Sequence, residues 1–476
     1  MPTRRSHLLM RWILPLLGCL CWITLVAPVS AGPFLAPQSE TLPNGITLVQ
    51  QAWSGEELGD QVLFTLAFRG GVIEEKPSLR GVTHEVLEAL SRAVRETVRT
   101  PGDPDAPVVG AELDAEYAAL QVAMPAETFP TWWPTILDMS IKSPETLINY
   151  APGAEETLQI LGSLAGDGGF MADVLAKTNL LGNSPYVNPL LGTPVTLQAL
   201  ERGDLEDWAR RLLTPSRLVV IVVHPRGVNL TALRDALAIL DTPTIRPLDA
   251  PQVPLIIGRR EALRPMETTV PTISWAILGP AVREPDLPAF LVVAAALGDP
   301  DAGRFAALRA TGAGQAIQTR WELERHQEAT IATFQASQEA GADIFALYTR
   351  WMDLHERLLA TGLTADEVAF AQGSLHAALD TRATDPVAMS SWLTLWSIWE
   401  NLTAGRRFDD KVSEVTLDEA NAALRKYFGV DHLIIAGLAP QLPDDYYFPN
   451  PRDVLWGTFV HPNKRTPAEI PPPSFN

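Results

Sequence analysis

Beyond its first 31 residues this 476-residue sequence has no cysteine, because Cys19 and Cys21 both lie within that opening segment. The rest of the chain therefore has no disulfide, no thiol nucleophile and no cysteine metal site, and it can enter an oxidising compartment without cross-links. Positive charge is also scarce. The 37 Lys and Arg residues face 56 Asp and Glu, for a net charge of −19. That balance argues against nucleic acid and anionic membrane as partners. It allows a basic peptide or a basic partner protein, and in its plainest reading it only keeps the chain soluble. The composition is 46% hydrophobic and 20% charged, which excludes wholesale disorder.

The opening 31 residues stand apart. Arg4, Arg5 and Arg11 form a positive start, Ile13 to Val26 is an apolar run, and Val29-Ser30-Ala31 is a small-residue cleavage site. This predicts a secretory signal peptide over 1–31 and a periplasmic or secreted product. An uncleaved anchor is the alternative, with a run on the short side for a span. A lipoprotein on Cys19 is a third option, weakened by the bulky Leu17. Signal removal leaves 34 basic against 56 acidic residues, or −22, and no membrane span.

The length suits two domains. After a Pro-containing linker, Thr41 to Gln50 and Gln61 to Phe68 read as strands, the first opened by the Asn44-Gly45 turn. A helix follows with Thr83 as its N-cap, then a strand over Ala111 to Ala123 and a helix over Ala126 to Ile141. Glu155 to Asn179 reads as helical but broken by Gly166, Gly168 and Gly169. A helix over Gln198 to Leu213 precedes a buried strand over Arg217 to Val223. Residues 241–254 are rich in Pro and Asp and read as a linker. The second half repeats the order: strand Thr272 to Leu278, helix Asp286 to Leu297, a short helix at Phe305 to Arg309, and strand residues near Trp321 and over Ala329 to Gln335. Helices then begin near Ala342, Thr364 and Val415, and a strand at His432 to Gly437 closes the half. The expected fold is α+β: two homologous halves, each a mostly antiparallel sheet with helices packed on one face. The expected divisions are 32–240, the linker 241–254, 255–440, and a Pro- and aromatic-rich tail at 441–476.

The stretch Arg80 to Leu90 carries most of the chemical interest. Zinc peptidases of the inverted type use His-x-x-Glu-His, which sets two imidazoles on one helical face with a Glu to activate metal-bound water. Here His84 is present, but Leu87 stands at the Glu position and Glu88 at the second His.

Several segments together resemble the insulinase, pitrilysin and mitochondrial processing peptidase family. In the first half these are Leu42-Pro-Asn-Gly45, Gly70-Gly71 with Glu74-Glu75, Gly81-Val-Thr-His84, Ser184-Pro-Tyr186 with Leu191-Gly192, and Pro215 to Ile221. In the second half they are Leu297-Gly298, Arg304-Phe305, Leu308-Arg309, Glu367 and Val415 to Glu419. They run in the family's order over nearly all of 40–440. No piece is specific alone. The resemblance implies two α+β halves enclosing, alone or with a partner, a chamber for unstructured peptides. In paired members one subunit carries zinc, and the other contributes an Arg and a Tyr to grip substrate.

Against that pattern, only His84 remains of the metal motif. The third ligand, a Glu, should fall near Leu158 to Leu161, where Glu155 and Glu156 are the nearest acids. Arg309 matches the substrate-gripping Arg, while the Tyr position falls on Gln315 or Ala316. The resemblance therefore implies a non-catalytic, substrate-gripping subunit of a heterodimeric metallopeptidase. No catalytic residue, metal ligand or cofactor is expected of this chain itself. Its partners would be a zinc-bearing paralogous subunit and an unfolded peptide. Two rivals stay open. One is a divergent active metalloendopeptidase holding Zn on His84, Glu88 and Glu156, with Glu85 as base. The other is a peptide-binding or scaffold protein with no peptidase partner. The remaining histidines are scattered. Trp392, Trp396 and Trp399 read as core or subunit interface, and the Asn229 and Asn401 sequons are assigned no role.

Overall fold

The computed structural model describes residues 37–99, 106–151, 153–243, 250–254, 258–267 and 270–440. The signal-like segment with both cysteines, parts of the linker region and the tail from 441 lie outside these residues.

In the first half the order is β1 (Gln38–Thr41), β2 (Thr47–Trp53), β3 (Gln61–Arg69), α1 (Val82–Val98), β4 (Val108–Leu113), β5 (Tyr117–Pro125), α2 (Phe129–Ile141), α3 (Ala154–Leu164), α4 (Gly168–Leu181), α5 (Pro194–Ala199), α6 (Arg202–Leu212), β6 (Leu218–Pro225) and α7 (Thr231–Ala238). In the second it is β7 (Arg260–Pro265), β8 (Thr272–Gly279), α8 (Leu287–Gly298), β9 (Gln318–Arg325), β10 (Thr330–Ser337), α9 (Ile344–Thr361), α10 (Ala365–Thr384), α11 (Pro386–Trp399), α12 (Leu402–Glu414), α13 (Leu417–Tyr427) and β11 (Ile434–Ala439).

The two sheets have one topology. The first runs β1-β2-β6-β3-β5-β4 and the second β7-β11-β8-β10-β9. In the first sheet β6 enters between β2 and β3, and in the second β11 enters between β7 and β8. Each is parallel to the earlier of its two neighbours, every other pairing is antiparallel, and β1 is an added edge strand on β2. This is the duplication expected from the sequence.

The sequence explains why neither central strand alternates between polar and apolar. Gln61-Val-Leu-Phe-Thr-Leu-Ala-Phe-Arg is buried from Val62 to Phe68, so both faces of β3 are covered. Val62, Phe64, Leu66 and Phe68 meet α1, α2 and α6 in one core cluster. Leu63 and Ala67 belong to a second cluster shared with the other half. Each half's own helices cover one face, as expected, and the other face is closed by one helix of the opposite half. α11 lies on β6 and β3, and α4 lies on β8 and β11. Thr65 of β3 meets Ser390 of α11 at 2.9 Å, and Ser274 of β8 donates to Asp173 of α4, so a buried hydroxyl pins each exchanged helix.

Three local expectations change. Residues 198–213 are not one helix, because α5 ends at Ala199 and α6 begins at Arg202. Residues 111–123 form a hairpin rather than one strand. Asp114 N–H donates to Tyr117 O and Asp114 Oδ1 accepts the Glu116 N–H, which turns the chain without glycine or proline to mark the spot. Thr83 does not cap α1. The helix starts at Val82 after Gly81 at φ +93°, and Thr83 is buried in its first turn. The capping-box starts at Thr364 and Thr416 form as expected. Trp396 and Trp399 are buried, and Trp392 is half-buried beneath the Arg382 guanidinium. Asn229 and Asn401 accept backbone N–H groups at the starts of α7 and α12. No helix among the described residues is long and apolar enough to cross a membrane.

Candidate functional site

The entrance to α1 is built from the residues that carry the family resemblance. Gly70 and Gly71 take positive φ at the end of β3. Glu74 then pairs with buried Arg217, which also donates to Arg69 O, and with Arg211. Glu75 turns back on the helix, accepting the N–H groups of Gly81 and Thr83 at 2.9 Å each. It does an N-cap's work from outside the helix. Burial, opposed by those amides, raises its carboxyl to about 7. Trp208 Nε1 donates to Thr83 Oγ1. A Cβ on Gly192 would lie 2.6 Å from Gly81 Cα, so the loop before α5 packs directly on the helix start.

Past that entrance, His84, Glu88 and Arg92 form the half-exposed line along α1. Leu87 does not join it. Its side chain is 2% exposed and lies in the first-half core with Val86 and Leu90. α3 lies alongside, where Thr157 Oγ1 donates to the buried Glu85 at 2.7 Å and Glu156 pairs with Arg92 at 2.5 Å. Burial lowers the His84 pKa against the opposing pull of Glu85 and Glu156. Burial raises that of Glu88, against Arg92 and Arg95. The fold thus brings Glu156 near His84 and Glu88, as the sequence spacing suggested. The donor set does not fit a peptidase zinc site. Leu87 offers neither ligand nor base, Glu85 is held by Thr157, and Glu156 is committed to Arg92. Nor do the ligand atoms of His84, Glu88 and Glu156 gather within metal-ligand reach of one another.

Arg309 ends the short helical turn Arg304–Arg309, where it donates to Pro300 O and lies 3.9 Å from Asp301. It remains half-exposed, with Gln315 Nε2 on its own carbonyl at 3.2 Å and Ala316 buried beneath. The Tyr position is therefore filled by an exposed Gln or a core Ala. Arg304 donates through Nε and Nη2 to the two Glu367 carboxylate oxygens and joins this turn to α10. The turn that carries Arg309 packs on α8, α9 and β9.

Sequence reasoning missed the polar junction of the halves. The β4–β5 turn meets the equivalent β9–β10 turn. Glu116 accepts from Tyr186 Oη at 2.6 Å, from the Gln327 N–H at 3.0 Å and from Trp399 Nε1. The His326 ring stacks on Tyr186, centroids 4.4 Å apart. Lys177 of α4 pairs with Glu324. Nothing in the local spacing of Asp114, Glu116 and His326 signals this meeting. Their equivalence as hairpin tips of a repeated unit is the one available clue.

No protein-family model and no curated protein matches the chain. Solved structures match its fold. A protease from Helicobacter pylori covers 86% of this chain and 100% of its own, with TM-score 0.69 and 15% identity. The peptidase M16 inactive domain from Pseudomonas fluorescens covers 86% and 98%, with TM-score 0.67 and 15% identity. The periplasmic protease PqqL from Escherichia coli covers 93% of this chain and 53% of its own, with TM-score 0.62 and 14% identity. The chain therefore has the fold of the M16 peptidases, the insulinase-like architecture that its sequence resembles, in agreement with the two-half α+β expectation.

Proposed function

We propose that this chain is the non-catalytic, substrate-gripping subunit of an exported heterodimeric metallopeptidase, paired with a zinc-bearing paralogue. One observation carries the reading. The entrance to α1 is built from residues that carry the family resemblance, with Glu75 holding the Gly81 and Thr83 amides, while the position that would activate water is a core leucine, Leu87. A chain kept for hydrolysis cannot spare that carboxylate. A chain kept for shape needs only the frame. Arg309, half-exposed at the surface of the second half, offers a planar fork of donors to a peptide carboxylate or carbonyl. The signal-like start and the periplasmic neighbour PqqL support export. The inactive M16 domain among the fold neighbours supports a non-catalytic role.

The test is co-expression with a zinc-bearing paralogue encoded beside it, followed by co-purification and cleavage of an unstructured peptide. The chain alone should be inactive and the pair active, and Arg309→Ala should raise KM more than it lowers kcat. Peptide cleavage by the isolated chain, abolished by His84→Ala, would establish the divergent metallopeptidase instead. Failure to find any zinc-peptidase chain in the co-purified material would favour a scaffold without a peptidase partner.

A further inference from the structure

We propose that Asp114, Glu116 and His326 form a divalent-cation site, of the Zn2+ or Mn2+ class, that clamps the two hairpin tips together. Asp114 and Glu116 come from the β4–β5 turn and His326 from the β9–β10 turn, and one ligand atom from each lies within 4.8 Å of the others. This set shares no residue with the zinc-peptidase motif positions His84, Leu87 and Glu88.

The independent sign is the imidazole. His326 is 5% exposed, and neither ring nitrogen has a hydrogen-bond partner. Glu324 Oε2, at 3.7 Å from Nε2, is beyond hydrogen-bond reach, and Glu324 is already paired with Lys177. A buried imidazole with no hydrogen bond on either nitrogen, and only a 3.7 Å approach to Glu324, is costly, and a metal bond on one nitrogen removes part of that cost. Glu112 and Glu116 bear on Asp114 as like charges, a repulsion that a divalent cation among them would relieve. The outer contacts are those a ligand set needs. Tyr186, the Gln327 amide and Trp399 orient the Glu116 carboxylate, and the Tyr186 ring fixes the plane of the imidazole. Asp114 keeps partial exposure, which provides an entry path. Two carboxylates and one imidazole suit Zn2+ or Mn2+ better than Ca2+. Because the ligands come from both halves, binding would stabilise their junction.

The experiment uses the full chain, freed of metal by dialysis against a chelator and titrated with ZnCl2 and MnCl2 by calorimetry and thermal unfolding. One equivalent should bind and raise the thermal midpoint. His326→Gln and Asp114→Asn, each with unchanged circular dichroism, should lose that equivalent, whereas His84→Ala should retain it. Absence of stoichiometric binding to the wild-type chain would overturn the proposal, as would an equivalent that both variants keep. Should the variants fail to fold, the visible spectrum of Co2+ added to the wild-type chain decides. Bands of lower-than-octahedral N/O ligation support the site, and the spectrum of aqueous Co2+ overturns it.

Discussion

α1 and α8 occupy the same place in their two halves, each following the second long strand, yet they differ in character. All of α8, Leu287 to Gly298, is buried, with α10 and α13 packed against it. α1 is longer, and it keeps His84, Glu88, Arg92 and Arg95 on a face only partly covered by α3. The duplicated fold therefore keeps one open helix face and closes the other. The open face is the one on which zinc peptidases place their ligands. Here that face carries His84 and Glu88, while Leu87 is turned into the core.

The largest expected effect would break the comparison directly. Ala294→Glu places an unpaired carboxylate in α8, where the native side chain is 0% exposed, and should cost about 4 kcal/mol or more in urea unfolding. Glu96→Ala, on the exposed face of α1, should stay within about 0.5 kcal/mol. Equal costs would mean that the two helices are covered alike.

Leu87→Ala tests whether that residue belongs to the core. A cost of about 3 kcal/mol is expected, and a neutral change would return Leu87 to the open face. Leu87→Glu should also destabilise the chain and create no peptidase activity.

The halves should respond to pH in opposite directions. In the second half His355 Nε2–H donates to Phe428 O at 2.7 Å, and Nδ1 is buried without a partner. Burial lowers its pKa from 6.5 to about 4. The neutral ring thus contributes stability above pH 6.5 that is lost as pH falls toward 4, up to about 3 kcal/mol. In the first half, Glu75 has its pKa raised from 4.5 to about 7. Its contribution is complete below pH 4.5 and is lost as pH rises through 7, again up to about 3 kcal/mol. Urea unfolding between pH 4 and 8 should show His355→Gln flattening the acid side and Glu75→Gln flattening the neutral side. An unchanged profile in either variant would remove that residue from the account.

The smallest effect sharpens the likeness between the halves. Ser390→Ala should cost about 1 kcal/mol by leaving the Thr65 hydroxyl without its partner. Ser274→Ala should cost about 2 kcal/mol, because it strips a hydrogen bond from the buried Asp173 carboxylate. Thermal unfolding of the two variants ranks them.

Much of the fold was legible in the sequence, for identifiable reasons. Asn44 supplies a turn and also donates to Leu237 O and Leu240 O at the end of α7. Arg304 and Glu367 join two elements through one ion pair, and Thr364 and Thr416 cap their own helices. Such residues announce themselves because their first task is local. The candidate site was half legible. The substitutions at Leu87 and Glu88 were plain in the sequence, and the approach of Glu156 could be inferred from spacing. The β4–β5 hairpin was missed because Asp114 and Glu116 continue a strand-like alternation with no glycine between them. The cap on α1 was misassigned to Thr83 because its real acceptor, Glu75, lies before the turn.

By itself the sequence determined the two α+β units, their order, and the absence of a complete zinc-peptidase motif, since propensity, periodicity and residue identity act over a few positions. The tertiary structure alone decided which helix closes which sheet, that Leu87 faces inward, and that Asp114, Glu116 and His326 meet. Those outcomes join residues as many as 325 positions apart, as Thr65 and Ser390 are. Such contacts form only when both halves fold against each other, so no local signal encodes them.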